Sequence, residues 1–423
     1  KRQKEGNKAV LIKIIQYFFF CFFAFFFVFL IRILSKFFLI RLTAIDIGRI
    51  GGVYLCDWYL SEKKIGKYQG RCLDIWIFEK STSHVNSQWL KMWRNELFWI
   101  PGYDFWIYVR KINGKFSGFE KYEIDRIHPY PTLKKWQEHN ANPGLGCIVK
   151  NNKRLKAILK NSKPNISFNL EEHKIGNRLL SKLKIPTNDQ YICFHARDNT
   201  YLDKVAMNKD WKYHDYRDSN IENYLPAAEE MSNRGYYSIR MGAVVKSSID
   251  SANPMIIDYS VSKYRTDFND IYIGSNCRFF LCSDGGISII PEVFKVPCVY
   301  VNWTNILRLS TWVINGLFIF KKYYLRNEDR NLTFSEIMNL EFGNIDTNEI
   351  FQKLNLELIE NTQEEIIAVS IEMDERLKGT WDTKDEDEEL QNRFWKLFGP
   401  DKIKSSDLRI GMDFLRQNKD LIK

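Results

Sequence analysis

The sequence lacks the cysteine and histidine patterns that hold structural metals or disulfides. None of its eight cysteines forms a CxxC pair, and its six histidines take part in no cluster with zinc spacing. Four cysteines fall inside apolar, strand-like runs, where a thiol is simply a small core residue: Cys193, Cys277, Cys282 and Cys298. We therefore expect no disulfide, no structural metal and a reducing compartment.

Internal repeats are also lacking. With 45% hydrophobic and 27% charged residues, the 423-residue chain has the composition of an ordered globular protein. Its net charge of +10 suits an anionic partner such as a membrane face or a nucleotide diphosphate. The lysines are spread along the chain rather than gathered in a stripe with interleaved aromatics, so nucleic-acid binding is the least favoured interpretation.

A long apolar run near the N-terminus is the most distinctive feature that is present. Residues 14–31, IIQYFFFCFFAFFFVFLI, are apolar or aromatic except for Gln16. As a helix they would measure roughly 27 Å, which matches a thin bilayer core. No small-residue cleavage site follows. Basic residues flank both sides of the run: Lys1, Arg2, Lys4, Lys8 and Lys13 before it, and Arg32, Lys36 and Arg41 after it. We predict a membrane helix within residues 1–41, as a spanning anchor or an embedded interfacial helix.

The middle of the chain alternates between strand-like and helix-like segments. Strands are predicted at 191–196, 236–242, 255–260, 278–283 and 297–303, and helices at 222–234, 263–275 and 287–295. This alternation predicts a parallel sheet buried on both faces. Upstream, CLDIWIF (72–78) and FWIYV (105–109) are also strand-like, whereas the segments 362–379 and 385–399 of the charged tail are helical in character.

Polar residues and glycines lie at or just after the carboxyl ends of the predicted strands of this middle segment. They are His195, Arg197, Asp198, Arg240, Gly242, Ser283, Asp284, Gly285 and Gly286. In open α/β sheets, ligands bind beyond the carboxyl ends of the strands. A strand, a glycine turn and a helix start would offer free N–H groups to phosphate oxygens, and two guanidiniums would neutralise a diphosphate. Glu292, in the following helix, would accept hydrogen bonds from ribose hydroxyls.

Each of these residues also has a purely structural interpretation. A strand–Gly-Gly–helix turn is common, and His195 fits a structural histidine at a strand end. Arg240 fits an ion-pair residue, and Glu292 fits a solvated helix residue. It is their coincidence at one edge of the sheet that favours a phosphate site.

Several runs of this sequence resemble the glycosyltransferases encoded in O-antigen and capsule gene clusters. They are IDIGRIGGVYLCDWYL, DWKYHDYRDSNIENYLPAAEEMSNRGYYSIRMG, YRTDFNDIYIGSNCRFFLCSDGGISIIPEVFKVPCVYVNW and EEIIAVSIEMDERLKGTW. A looser resemblance links His195-Ala-Arg197 to the His-x-Arg motif of fucosyltransferases. That motif continues with a second Arg and an Asp, whereas this chain has Asp198 and Thr200.

The first resemblance implies an α/β protein of the GT-B type, with two Rossmann-like lobes. An acceptor lobe would cover residues 42–185, a donor lobe 186–325 and a helical C-terminal extension 326–423. It implies a nucleotide-diphosphate sugar as co-substrate, no cofactor, a glycan or lipid-linked glycan acceptor, and an inner-membrane location with the lobes facing the cytoplasm. An Asp-x-Asp at a strand end, which a metal-dependent GT-A enzyme would need, is lacking, since Asp385-Glu386-Asp387 is typical of a solvated helix start.

An inverting transfer would require a base that deprotonates the acceptor hydroxyl. The resemblance favours Asp46, in the DIGRIGG loop, with Asp57 and Asp198 as rivals. Arg49, Gly51 and Gly52 would line the same cleft, or form an ordinary glycine turn with a surface arginine. Two alternatives to a transferase stay open at this point: a nucleotide-sugar epimerase-like enzyme and a non-catalytic, membrane-tethered nucleotide-binding assembly factor.

Overall fold

The computed structural model describes nine stretches of the chain and two single positions. These are residues 7–45, 50–66, 68, 70–78, 86–124, 163–205, 211–306, 309, 313–342, 347–397 and 408–423. The described residues belong to two compact units. The first lies within Lys1–Asn86 and Leu90–Thr132, and the second within Ser87–Trp89 and Leu133–Lys423.

The first unit is built on a long apolar helix and a parallel strand pair. The described elements up to residue 124 are α1 (Asn7–Leu34), β1 (Leu39–Ile45), α2 (Tyr54–Lys64), β2 (Cys72–Phe78), α3 (Ser87–Glu96) and α4 (Tyr103–Asn113). β1 pairs with β2 in parallel register, Leu39 opposite Cys72 and Ile45 opposite Phe78. With α2 between them, the two strands form a β-α-β unit. The predicted apolar helix and the strand CLDIWIF are both confirmed.

The strand predicted at FWIYV is wrong, because these residues lie in the middle of α4. Phe105, Val109 and Ile112 recur at helical spacing and turn towards the core that includes α1. Gly102 precedes the helix in the left-handed region, at φ 94°. A five-residue apolar run cannot distinguish a strand from a buried helix by periodicity alone, and here the helical packing decided.

The second unit contains strands β3 to β12 and helices α5 to α14. The strands are β3 (Tyr191–His195), β4 (Tyr237–Arg240), β5 (Ile256–Asp258), β6 (Phe280–Cys282), β7 (Cys298–Trp303), β8 (Gly316–Phe320), β9 (Lys322–Leu325), β10 (Arg330–Asn331), β11 (Leu356–Ile359) and β12 (Leu408–Ile410). The helices are α5 (Leu170–Lys182), α6 (Thr200–Val205), α7 (Leu225–Asn233), α8 (Asp267–Asn276), α9 (Ile289–Val293), α10 (Phe334–Phe342), α11 (Asn348–Lys353), α12 (Gln363–Lys378), α13 (Asp385–Lys396) and α14 (Met412–Gln417).

Seven of these strands form one sheet in the order β5-β4-β3-β6-β7-β8-β12. Every pairing in it is parallel. All five strands predicted between residues 191 and 303 belong to it, which confirms the α/β class. The order is that of a Rossmann-type doubly wound sheet, and it reverses direction between β3 and β6. The crevice beyond the carboxyl ends of β3 and β6 is therefore where this topology places a ligand.

The described C-terminal region is mainly helical, as predicted, and it also completes the sheet. Thr362 and Glu365 form a capping box at the start of α12, and Gly379 ends that helix with φ 73°. β12 then pairs with β8 and forms the edge of the seven-stranded sheet. β9, β10 and β11 make a separate antiparallel sheet in the order β10-β9-β11.

Candidate functional site

His195 is the last residue of β3, at the carboxyl edge of the seven-stranded sheet. Its ring lies between the loop after β4, which contains Gly242, and the loop after β6, which contains Gly285. Its Nδ1 lies 3.0 Å from the carbonyl oxygen of Met241. Because a carbonyl only accepts, Nδ1 carries the proton and Nε2 is left as an acceptor. Burial lowers the pKa of His195, and the neighbouring Arg240 and Arg197 lower it further against the opposing effect of Asp198. A Cβ built on Gly285 would lie 3.9 Å from Nε2. The neutral imidazole therefore borders the loop after β6.

The loop after β6 presents unused backbone donors at this place. The hydroxyl of Ser283 accepts a hydrogen bond from the Arg197 amide at 2.8 Å, which ties the ends of β3 and β6 together. Within the described part of the chain, the amides of Asp284, Gly285 and Gly286 donate to no acceptor. Gly286 then opens a short 3-10 turn that leads into α9. Three consecutive free N–H groups are a suitable cradle for an anion.

Three guanidiniums surround this edge, and each is paired with a carboxylate. Arg197 contacts Asp218 and donates to the carbonyl of His214 at 3.3 Å. Burial lowers the pKa of Arg197 to about 10, and the nearby Arg217 contributes.

The other two ion pairs involve a carboxylate from the loop after β6 and a carboxylate at the end of β5. Arg217 binds Asp284 at 2.7 Å. Arg240, only 3% exposed, binds Asp258 at 3.1 Å and donates to the carbonyl of Ser247 at 2.7 Å. An incoming diphosphate would compete with Asp218 and Asp284 for Arg197 and Arg217, whereas Arg240 is committed to a buried pair.

A pocket of about 710 Å³ lies next to the loop after β6, and residues 283–286 of that loop are not part of its described lining. Its described lining includes Asp198, Asp215, Asp218 and Glu360 among the acids, and Arg240, Lys246 and Lys321 among the bases. Tyr216, Phe351 and several amide side chains complete the wall. Carboxylates, amides and aromatic rings are the groups that bind polyhydroxylated ligands, through hydrogen bonds and apolar contact.

Lys321 is a buried cation in the wall of this pocket. Its ammonium donates to the carbonyl oxygens of Tyr216 and Asp218. Burial lowers the pKa of Lys321 to about 8, with Glu360 opposing and Arg197 reinforcing that shift. Lys321 therefore loses its charge close to the physiological range, unlike an ordinary lysine.

Two carboxylates of the pocket differ in their environment. Asp198 accepts from the amide of Thr200 at 2.9 Å and from that of Lys246 at 3.2 Å. Burial raises the pKa of Asp215, against the lowering effect of Arg197, and its enclosed Oδ1 has no hydrogen-bond partner among the described residues. Asp198 is thus anchored at the pocket, while Asp215 is the carboxylate that burial makes less acidic than an ordinary aspartate.

The remaining predicted site residues are found in several places. Gly242 has φ 159°, and a Cβ there would lie 2.6 Å from Cγ1 of Val245, so the close packing of the Val245 side chain favours glycine. Glu292 is buried in α9 and accepts a hydrogen bond from the Tyr300 hydroxyl at 2.5 Å. This placement holds its carboxylate in the interior.

The residues predicted to lie on the acceptor side belong to the first unit, and two of them are outside the described residues. Asp46 and Arg49 lie outside the described residues. Gly51 and Gly52 form part of a 3-10 turn, Ile50–Val53. Asp57 is buried in α2.

Sequence reasoning missed Asp215, Arg217, Asp218, Lys321 and Glu360. The run HDYRDS carried a signal, because three charged residues fall within four positions of a segment quoted for its family resemblance. Lys321 and Glu360 gave no such signal, because they are distant in sequence from the other pocket residues. Lys321 directly follows β8 and Glu360 directly follows β11, and only the pairing of these strands in the fold brings the two residues to the pocket. Among the described residues, no group of three or more His, Cys, Asp or Glu is arranged to hold a metal ion.

Comparison with known proteins finds similarity to several solved structures. No family model matches the chain, and no curated protein matches it significantly. The glycosyl transferase family 9 structure from Veillonella parvula DSM 2008 is similar with a TM-score of 0.43 and 10% identity, covering 80% of this chain and 96% of that one. E. coli ADP-heptose LPS heptosyltransferase II is similar with a TM-score of 0.34 and 8% identity, covering 62% and 84%. At TM-scores below 0.5 these likenesses carry no weight for fold or function.

Proposed function

We propose that this chain is a membrane-attached glycosyltransferase of the GT-B type. It would move a sugar from a nucleotide-diphosphate donor to a surface glycan of the O-antigen or capsule kind, without a metal and with inversion. One observation carries the proposal: three backbone amides after β6, which have no acceptor among the described residues, lie beside His195 and Arg197 in the crevice where the strand order reverses. The sequence resemblance to glycosyltransferases supports it independently.

In this proposal the second unit holds the donor and stabilises the leaving diphosphate. The amides of Asp284, Gly285 and Gly286 bind phosphate oxygens, and the neutral His195 accepts a hydrogen bond through Nε2. Arg197 and Arg217 exchange their carboxylate partners for phosphate, which is electrostatic stabilisation where negative charge develops. Such fixed donors cost no reorganisation at the moment of transfer.

The pocket beside the loop is then the place for the sugar and the nucleoside. Its carboxylates and amide groups match hydroxyl groups, and Tyr216 and Phe351 offer apolar faces. The base that removes the acceptor proton is assigned to Asp46, with Asp198 as the second candidate. The proposed location is the bacterial inner membrane, with the catalytic part facing the cytoplasm.

Substitution of Gly285 by alanine tests the phosphate cradle without disturbing the fold. An added Cβ meets no atom closer than 3.7 Å, and φ is −151°, which any residue adopts. The methyl group would nevertheless occupy the space between the amides and His195. We expect one class among GDP-, UDP-, CMP- and dTDP-sugars to bind the parent protein and raise its Tm. Gly285→Ala should weaken the affinity for that nucleotide sugar on the order of tenfold or more.

Gly114→Ala is the matched control, because Gly114 has helical backbone angles and its added Cβ lies 3.4 Å from the nearest atom. Both variants should unfold within about 0.5 kcal/mol of the parent. Equal nucleotide affinity in Gly285→Ala and the parent would remove the loop from the site. A parent protein that none of the four classes stabilises would end the proposal. Binding without hydrolysis or transfer would instead favour a non-catalytic nucleotide-binding factor.

A further inference from the structure

The N-terminal helix α1 has two different faces, although its residues from Tyr17 to Ile31 are apolar or aromatic on every side. The part from Tyr17 to Leu34 is long and apolar enough to cross a membrane, with a mean hydropathy of 2.5. One face holds the buried residues Ala24, Val28 and Ile31. The opposite face exposes a row of phenylalanines, which are between 56% and 73% accessible: Phe18, Phe22, Phe25, Phe26 and Phe29.

The buried face is covered by the folded first unit along the whole candidate span. Near its start, the rings of Tyr17 and Tyr108 are 5.5 Å apart, and those of Phe20 and Phe105 are 6.0 Å apart. Further along, Phe27 lies 5.5 Å from Trp106. These partners all belong to α4.

The strand pair and the end of α1 extend the same packing. Ala24, Val28 and Ile31 share a core with Leu42 of β1 and Ile75 of β2. The guanidinium of Arg32 donates to Asn113 at 2.9 Å and lies over the rings of Phe116 and Tyr122. The helix is therefore an integral wall of the first unit and not a separate stalk.

This packing conflicts with a helix that crosses the bilayer. The outer side of α4 carries the exposed Asp104 and Lys111 beside the candidate span. If residues 17–34 filled the hydrocarbon core, α4 and the strand pair would have to enter it too. Charged side chains and strand backbone facing lipid are strongly disfavoured there.

We infer that α1 lies in one leaflet, along the membrane interface, with its row of phenylalanines towards the acyl chains and the first unit towards water. Exposed Lys36, Lys111, Lys115 and Lys121 belong to the same unit and complement the negative charge of phospholipid headgroups. Because α4 and the strand pair cover the other face of α1, the first unit presents a single apolar face with basic residues around it, which is how an interfacial helix meets a membrane. This inference rests on the membrane attachment in the proposed function and not on sugar transfer.

The two arrangements differ in where the ends of α1 lie. Lys8 and Lys36 are separated by 28 residues, nearly all helical. A spanning helix would place them on opposite sides of the membrane, whereas an interfacial helix leaves both on one side. Single variants Lys8→Cys and Lys36→Cys of the full chain, in sealed right-side-out and inside-out bacterial membrane vesicles, would be treated with a membrane-impermeant maleimide. The parent protein gives the labelling of the native cysteines.

We expect both introduced cysteines to be labelled in the same vesicle orientation. Labelling of Lys8→Cys in one orientation and Lys36→Cys in the other would overturn the inference while leaving the proposed sugar transfer intact. Nucleotide-sugar binding, measured separately on the Gly285→Ala series, decides the proposed function, so the two failures are distinguishable.

Discussion

Among single residues, Lys321 offers a titration that can be followed without knowing the substrate. Its folded pKa is lowered to about 8 by burial, while an unfolded lysine titrates near 10.5. Between these values the unfolded chain binds the extra proton, so stability rises with pH across that window. We expect the free energy of unfolding of the parent, relative to Lys321→Met, to increase by about 2–3 kcal/mol between pH 8 and 10.5.

Denaturant titrations of both proteins at several pH values measure this difference directly. Because every other ionisable group is shared, its pH dependence cancels in the comparison. A difference that stays flat, or falls, over the window would show that Lys321 keeps its proton in the folded protein.

Arg240 is a predicted binding residue that also has a structural partner. The sequence suggested a phosphate-binding arginine or an ion-pair residue, and in the structure Arg240 forms a buried ion pair with Asp258. The carboxylate of Asp258 also accepts a hydrogen bond from the amide of Ile249 at 2.9 Å. Removing Arg240 would leave Asp258 without its cation in the interior, which is destabilising in itself. Loss of ligand binding in such a variant would mix folding with recognition, and for this reason Gly285 is the sharper probe.

At the scale of elements, the contact between α5 and α8 depends on one glycine. A Cβ on Gly176 would lie 2.0 Å from the ring of Tyr272, whose hydroxyl donates to Asn177 at 3.1 Å. In a free helix, Gly→Ala stabilises by about 1 kcal/mol. Here we expect Gly176→Ala to lower the free energy of unfolding by about 1–3 kcal/mol, because the ring must move.

The double variant Gly176→Ala/Tyr272→Leu checks the cause. Leucine lacks the distal ring atoms that the new methyl group would meet, so the double variant should be more stable than the sum of the two single effects predicts. The free energies of unfolding are measured by urea denaturation. If the effects of the two single substitutions simply add in the double variant, the ring of Tyr272 is not what opposes the new methyl group.

At the scale of the whole molecule, the membrane attachment that we propose depends on the exposed row of phenylalanines on α1. Phe22 and Phe26 are 73% and 57% accessible, so glutamate at both positions leaves the packed face intact. We expect Phe22→Glu/Phe26→Glu to shift most of the protein from the membrane fraction to the supernatant, since two charges oppose insertion among acyl chains.

Leu170→Glu/Val261→Glu is the matched control, as both positions are exposed apolar residues of the second unit, 80% and 56% accessible. This control should sediment like the parent. Equal sedimentation of the phenylalanine variant would contradict membrane attachment through this face. The variant is preferable to deletion of residues 1–36, which would also remove Ala24, Val28 and Ile31 from the core of the first unit.

The sequence by itself determined the elements whose chemistry is local. The apolar helix, the five strands between residues 191 and 303, and the capped helix that begins after Thr362 follow from runs of residue types and from hydrogen bonds within a few positions. The convergence of Arg197 and Ser283 was also predictable, because carboxyl ends of parallel strands share one edge.

Only the tertiary structure decided which partners those residues have. FWIYV became a helix because its apolar side chains pack on α1, and the pairs Arg197–Asp218, Arg217–Asp284 and Arg240–Asp258 formed because a turn or a neighbouring strand brought each carboxylate alongside. Burial, which shifts the pKa of Lys321, comes from elements distant in sequence. Local patterns encode backbone geometry, but pairing and desolvation arise from long-range packing that no short window of sequence contains.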